Sequence, residues 1–327
     1  NLLMAVKCGG HSFSGKSTCD GGIMIDLSSY RDVRVDLPAQ SAFVTGGSLL
    51  GQLDHESMAL GMVTTAGTVS HTGVGGLTTG GGFGRVGRRF GLALDNVKSV
   101  DVVSADGRLR HASAEENPDL YWAVRGGGGN FGVVTSFEFQ LHPMERKVIG
   151  GAMIYPIAKL RELLEIYADY SVRCPNELYT DLVAVYPYGE KPGVAILDVC
   201  WSGDKGKYEN AMQPYAALGE PIHNGVKEVD YVALQRSGDS SDARSWASYQ
   251  KSGFINGFKP GLVDTLIEGM EPHPDRSTII IFQHSGGAIN EVATDATAFP
   301  HRYASHNMIP MVSWRTGASP QEHIKYI

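Results

Sequence analysis

The distribution of glycine constrains this chain more than any other feature. It has 41 glycines in 327 residues, and most of the excess lies before residue 135. They come in clusters: "KCGGHSFSG" at 7–15, "TTAGTVSHTGVGGLTTGGGFG" at 64–84 and "RGGGGNFG" at 125–132. Glycine reaches positive φ without steric penalty and lets backbone approach a ligand closely, but it weakens helices and strands. Rows of unobstructed backbone N–H groups suit an anion, so the N-terminal half points to a phosphate-bearing ligand.

The spacing between clusters places the elements. Short apolar strands fit Ile23 to Leu27, "VRVDL" and "SAFVTGG", and the leading "LLMAV" reads as a buried strand already under way. Ser48 is the expected cap of a helix through "LLGQLDHESMALG", stopped by Gly61. "VKSVDVVSADGRLRHAS" is a hairpin around Asp106-Gly107. Asn117-Pro118 opens the helix "DLYWAVR", and "NFGVVTSFEFQLHP" follows as a strand. After about residue 143 the glycines thin. "PIAKLRELLEIYADYSVR" is an amphipathic helix with Ile157, Leu160, Leu163, Leu164 and Tyr167 on one face. Strands at "LYTDLVAVYP", "GVAILDVCW", "STIIIFQHSGG" and "HNMIPMVSW" alternate with helical segments near 208–218 and 261–270. The expected division is residues 1–147 as one domain and 148–327 as a second, in an α+β fold.

Bulk properties narrow the partners. The net charge of −7 and the lack of a Lys/Arg run argue against nucleic acid. No stretch approaches the roughly 18 apolar residues of a membrane span. Cys8, Cys19, Cys174 and Cys200 form no CxxC pair, which argues against zinc and suits a reducing compartment at least as well as an oxidising one. A Cys8–Cys19 disulfide has no support beyond proximity in sequence. The N-terminus shows no signal-peptide pattern, so a cytoplasmic location is slightly favoured. Two GxGxxG matches, at 82–87 and 127–132, lack the Rossmann context. The second follows a helix and opens a strand, and no helix is expected after Gly87 because Gly91 interrupts. Ser12 does not sit in a GxSxG hydrolase setting.

The informative feature is the order of four elements: "KCGGHSFSG", the 64–84 glycine passage, "SVDVVSADG" and "WAVRGGGGNFGVVTSFEFQLHP". Together they closely resemble the berberine bridge enzyme-like flavoproteins, within the vanillyl-alcohol oxidase superfamily and its p-cresol methylhydroxylase-type FAD domain. The resemblance extends more weakly to "GGAINEVATDATAFPHR" at 286–302. It implies an FAD-binding domain followed by an antiparallel-sheet substrate domain. It also implies that a unit before residue 1 and a closing flavin-domain segment after residue 327 lie outside this chain.

The resemblance implies roles residue by residue. Cys8, Gly9, Gly10, His11, Ser12 and Gly15 would form one wall of the FAD cradle. Ser70, His71, Thr72, Gly75, Gly76, Gly80, Gly81 and Phe83 would line the isoalloxazine and the pyrophosphate, and Asn130, Gly132 and Val134 the adenine end. His11 stands where the family bonds histidine to the flavin 8α carbon. In isolation it would read as a neutral loop histidine bonded to backbone. The second tether of many relatives is a cysteine, and its position holds Val69, so a single covalent link through His11 is expected. The small Thr72 would leave oxygen access to the ring, which favours an oxidase releasing hydrogen peroxide. A dehydrogenase with another acceptor, or a non-catalytic flavin binder, are the alternatives. The catalytic base is unassigned. Positions that carry it in relatives hold Phe83, Met308 and Pro310. Gln283, His284 and Tyr303 are weak candidates, and only one of Gln283 and His284 can face a ligand from a strand. The substrate would be a small molecule.

Overall fold

The computed structural model describes residues 2–239 and 246–327. The chain forms two compact units. One comprises Asn1–Lys147 with Asp230–Asp239 and Gly287–Arg302, and the other Val148–Val229, Ser240–Gly286 and Tyr303–Ile327. The first unit thus recruits two segments from the half of the chain expected to build the second. Both are short, and no break in hydrophobic periodicity announces them.

The first unit contains a five-stranded antiparallel sheet with strands in the order Val33–Asp36, Ser41–Thr45, Val133–Gln140, Val97–Val103, Leu109–Ser113. Alternation along these strands buries Ala42, Val44, Val100, Val102, Phe137 and Phe139 on one side, against Leu50 and Leu53 of the helix Leu50–Met58. The Asp106-Gly107 hairpin forms as expected, with Gly107 at φ +76°. A separate parallel pair joins Met4–Lys7 to Ile23–Asp26.

Several local expectations are corrected. Ser48 does not cap the helix. Its hydroxyl donates to the Asp32 carbonyl, and the helix opens instead with the Leu49 N–H donating to the Gln52 side chain. Asn117 is left-handed at φ +47°, and its amide donates to the His111 carbonyl rather than capping. Gly87–Phe90 does form one helical turn, which Gly91 ends at φ +81°. In the leading strand Leu2, Leu3 and Met4 are more than half exposed and Ala5 alone is buried; among the described residues it pairs with one neighbour. Cys8 and Cys19 are free thiols, so no disulfide joins them.

The second unit is built on an antiparallel sheet of nine strands among the described residues. Its centre runs Lys147–Pro156, Val194–Trp201, Leu178–Tyr186, Ser277–His284, His306–Arg315. The helix Leu160–Tyr170 lays Leu160, Leu163, Leu164 and Tyr167 onto Leu182, Leu197 and Phe282. That is the stripe its 3.6-residue period predicts.

Within the first unit, the returning segment 287–302 is held by a buried ion pair. Arg302 donates to both Asp95 carboxylate oxygens at 2.7 Å, with only 2% and 9% of the two side chains exposed. Trp122 Nε1 donates to the Asp295 carbonyl at 2.7 Å, and Gly126 leaves room for Phe299, whose N would lie 2.4 Å from a Cβ there. Removing one partner of such a pair strands the other charge. Arg302→Ala is expected to lower the unfolding free energy by about 3–5 kcal/mol. A urea titration reads this directly, and a loss below about 1 kcal/mol would mean the pair does not anchor the segment.

Candidate FAD and attachment site

Two glycine loops of the first unit cross backbone to backbone. A Cβ on Gly9 would lie 2.3 Å from Gly73 N, and a Cβ on Gly73 would lie 2.3 Å from Gly9 N and 2.4 Å from Cys8 Sγ. No side chain fits at either position. The 7–15 loop then turns through Gly10 at φ +73° and Gly15 at φ +71°, where Lys16 N–H donates to Ser12 Oγ. The 64–84 passage continues from Gly73 into the helix Val74–Gly80.

The crossing brings His11 onto His71. Nε2 of His11 lies 2.6 Å from Nδ1 of His71, a hydrogen bond with one N–H between two ring nitrogens, and the ring centroids are 4.6 Å apart. His11 Nδ1 is 3.4 Å from Thr72 Oγ1. Burial and the neighbouring His71 lower the His11 pKa below the usual imidazole value, while Asp239 pulls weakly the other way. His11 is therefore neutral at pH 7. Cys8 packs under the crossing with its thiol on the Ser48 carbonyl at 3.4 Å, and burial raises its pKa, so it stays protonated.

One residue of the site had no signal in the sequence. Asp239 accepts from Ser70 N–H at 2.8 Å and from Ser70 Oγ at 2.6 Å, and its Oδ1 lies 4.0 Å from His71 Nε2. Burial opposes its charge, but the Ser70 hydrogen bonds and His71 outweigh burial and hold its pKa below the usual carboxylate value. The backbone fits closely here as well, since a Cβ on Gly238 would lie 3.0 Å from the Thr68 carbonyl oxygen. In the sequence Asp239 is one acid in a polar stretch, 168 residues after His71 in the chain numbering and outside any motif.

A buried polar network seats the segment that carries Asp239. Gln235, fully buried on the helix Tyr231–Arg236, donates to Asp54 Oδ2 at 3.3 Å and to the Gly67 carbonyl at 2.8 Å, and accepts from Arg85 at 3.0 Å. Asp54 lies on the inward face of its helix with Leu50, Leu53, Ser57 and Met58.

The arrangement fits FAD. The chain supplies close-packed glycine backbone on two loops, a neutral nucleophilic imidazole and open space over Gly76 and Gly80, where a Cβ would meet nothing within 4 Å. Beside His71 opens a cleft of about 520 Å³ bordered by Arg31, Gln52, His55, Ser70 and Arg236. Among the described residues the buried His71 Nε2 has no hydrogen-bond partner. Gly132, at φ +143°, packs on the Val103 carbonyl, and the carbonyl of Val134 lies where a Cβ of Gly46 would be, 2.2 Å away. Asn130 is exposed and donates to the Gly127 carbonyl at 2.7 Å. Phe83 packs edge-on against Phe299 at 6.1 Å. Gly75 and Gly81 lie at the start and end of the Val74–Gly80 helix, Gly81 at φ +138°.

The base candidates lie in the second unit. His284 is 2% exposed, and both ring nitrogens are engaged. Nε2 donates to the Ser171 carbonyl at 2.9 Å, and Nδ1 accepts from Thr180 N–H at 3.2 Å. That is the bonding of a structural histidine stacked on His306 at 5.5 Å, so the expectation of a reactive role is not supported at this residue. Gln283 is half-buried and accepts from Asn307 Nδ2 at 3.3 Å, and Tyr303 is 53% exposed.

Burial pushes the Asp54 carboxyl up to about 7 from an ordinary 3.8, against the opposing pull of Gln235 and Arg85. A pKa raised on folding gives stability that is complete below the unfolded value and is lost as pH rises through the folded one. Native stability is therefore expected to fall between about pH 4 and pH 7, by an amount on the order of 4 kcal/mol. In Asp54→Asn this decline should vanish from denaturation midpoints measured across that range, while an unchanged pH profile would refute the assignment.

Comparison with known proteins supports an FAD-binding unit. A family described as an FAD binding domain matches residues 1–113. An FAD-linked oxidoreductase of Dictyostelium discoideum is 33% identical over 312 residues, covering 94% of this chain and 67% of its own length. Berberine bridge enzyme-like C-2 of Nicotiana tabacum is 29% identical, covering 91% of this chain and 59% of its own length. Among solved structures, Physcomitrella patens BBE-like 1 shares the fold with a TM-score of 0.88 at 24% identity, over 99% of this chain and 74% of that one. The FAD-binding family match and the similarity over most of the chain place it: the chain belongs to the berberine bridge enzyme-like family of FAD-linked oxidoreductases.

Proposed function

We propose that the protein is an oxidase. It removes a hydride from a carbon bearing OH or NH on a small molecule and passes the electrons to dioxygen, with hydrogen peroxide as product. FAD, when bound, supplies the hydride acceptor. The observation that carries the reading is the neutral His11 delivered by the Gly9–Gly73 crossing beside the small Thr72.

The chain's own residues account for binding and orientation. Backbone N–H groups of Gly9, Gly10 and Ser12 would hold the pyrophosphate, where no side chain blocks approach. Gly75, Gly76, Gly80 and Gly81 would line the ring system with Phe83, and Asn130, Gly132 and Val134 the adenine end. His11 would form one covalent bond to the flavin 8α carbon, since Val69 stands where relatives with a second tether place cysteine. A covalent link fixes the ring and tunes its electronics, which is the protein's share of cofactor chemistry. Phe83, Met308 and Pro310 have no group to accept the substrate's heteroatom proton. Thr72 is small enough to leave a path for dioxygen to the ring.

The printed names of relatives indicate where to search for substrates. They include (R)-6-hydroxynicotine oxidase of Paenarthrobacter nicotinovorans, 33% identical over 197 residues, and a chitooligosaccharide oxidase that shares the fold. N-heterocycles and oligosaccharides are therefore the first compounds to test. Acid-precipitated protein should keep its yellow colour in the pellet. Anaerobic substrate should bleach it, and air should restore the colour with one peroxide per turnover. Reoxidation no faster than that of a dehydrogenase would overturn the oxidase assignment. Thr72→Leu should slow reoxidation on the order of tenfold, about 1.4 kcal/mol of barrier, without slowing bleaching.

A further inference from the structure

We propose that His71 is the base that activates His11 for flavin attachment, and that Asp239 positions His71 and stabilises its charge. The inference rests on the reading above that His11 is the attachment residue, and goes beyond it by naming what takes the proton.

The hydrogen bonding allows a consistent set of tautomers. His11 Nε2 and His71 Nδ1 are 2.6 Å apart, so one carries hydrogen and the other a lone pair. With the hydrogen on His11 Nε2, His11 Nδ1 keeps its lone pair as the nucleophile. His71 Nδ1 then accepts, and His71 must carry its own hydrogen on Nε2. That Nε2 is buried, has no hydrogen-bond partner among the described residues, and lies 4.0 Å from Asp239 Oδ1. An N–H in that place makes a poor contact while His71 is neutral. It becomes a favourable one when His71 gains a proton, because the carboxylate then faces a cation. Asp239 is itself fixed by two hydrogen bonds from Ser70, the residue preceding His71. The carboxylate and the imidazole thus move with one loop.

The step balances as follows. A C–N bond forms between His11 and the flavin 8α carbon, and that methyl group gives up one hydrogen. His11 gives up its Nε2 proton to His71 Nδ1. The two electrons left on the flavin pass to dioxygen, which with the two protons gives hydrogen peroxide. Without His71 the imidazole would have to bond while shedding its proton to water across a half-buried site. General-base assistance of this kind contributes about 10²–10⁴-fold.

The test reads covalent flavin, not turnover. Full-length apoprotein from a flavin-starved host is mixed with FAD, and protein-bound flavin is followed by fluorescence in denaturing gels, with total binding followed by fluorescence quenching. Wild type should attach FAD and His11→Ala should not; failure of wild type to attach would refute the reading of His11 itself. If wild type attaches, His71→Gln should bind FAD but attach it at least about 100-fold more slowly. Glutamine keeps a hydrogen-bonding side chain but cannot take a proton, so a purely structural role for His71 would leave it near the wild-type rate. Added imidazole should restore attachment in His71→Ala, and Asp239→Asn should slow it by a smaller factor. Wild-type attachment rates in His71→Gln, or no rescue of a folded, FAD-binding His71→Ala, would overturn the proposal.

Discussion

The first unit depends on one contact, the backbone of Gly9 against the backbone of Gly73. It requires the absence of a side chain at both positions, so it is steric before it is energetic. Everything chemical at the site follows from it. The loop that carries His11 and the loop that carries His71 and Thr72 could not otherwise lie within 3.5 Å of each other, and the short bond between the two histidines would not form. The price is an exposed, turn-rich loop with Phe13 at 73% exposure, held chiefly by that crossing and by its flanking strands.

A second layer fixes the electrostatics. The helix Tyr231–Arg236 is fastened from below by Gln235, and the chain continues from it to place Asp239 on Ser70. A carboxylate near a histidine pair biases where a proton can rest. Beneath Gln235 the buried Asp54 accepts its amide, and burial, not that hydrogen bond, is what raises the carboxyl pKa. The Arg302–Asp95 pair plays the corresponding part for the other returning segment, pressing Phe299 over Gly81 and Gly126.

Much of this was legible in the sequence. Glycine clusters in a fixed order identified the family, and short apolar runs located the central strands of both sheets. The amphipathic stripe of Leu160–Tyr170 faces the core as its period requires. What failed was local and physical. Ser48 and Asn117 have the side chains of helix caps, but backbone carbonyls elsewhere compete for their hydrogen bonds and win. His284, attractive as a histidine at a strand end, turns out to have both nitrogens consumed by backbone groups.

The sequence by itself determined the family and the glycine-rich loops that mark it, because φ preferences and hydrophobic period act over a few residues and leave a local record. Only the tertiary structure decided that His71 faces His11, that Asp239 closes the chain of groups behind it, and that Asp54 is buried with a perturbed pKa. These are contacts between residues 60 to 181 positions apart. Their strength depends on burial and on distances of a few ångströms, which no local pattern encodes.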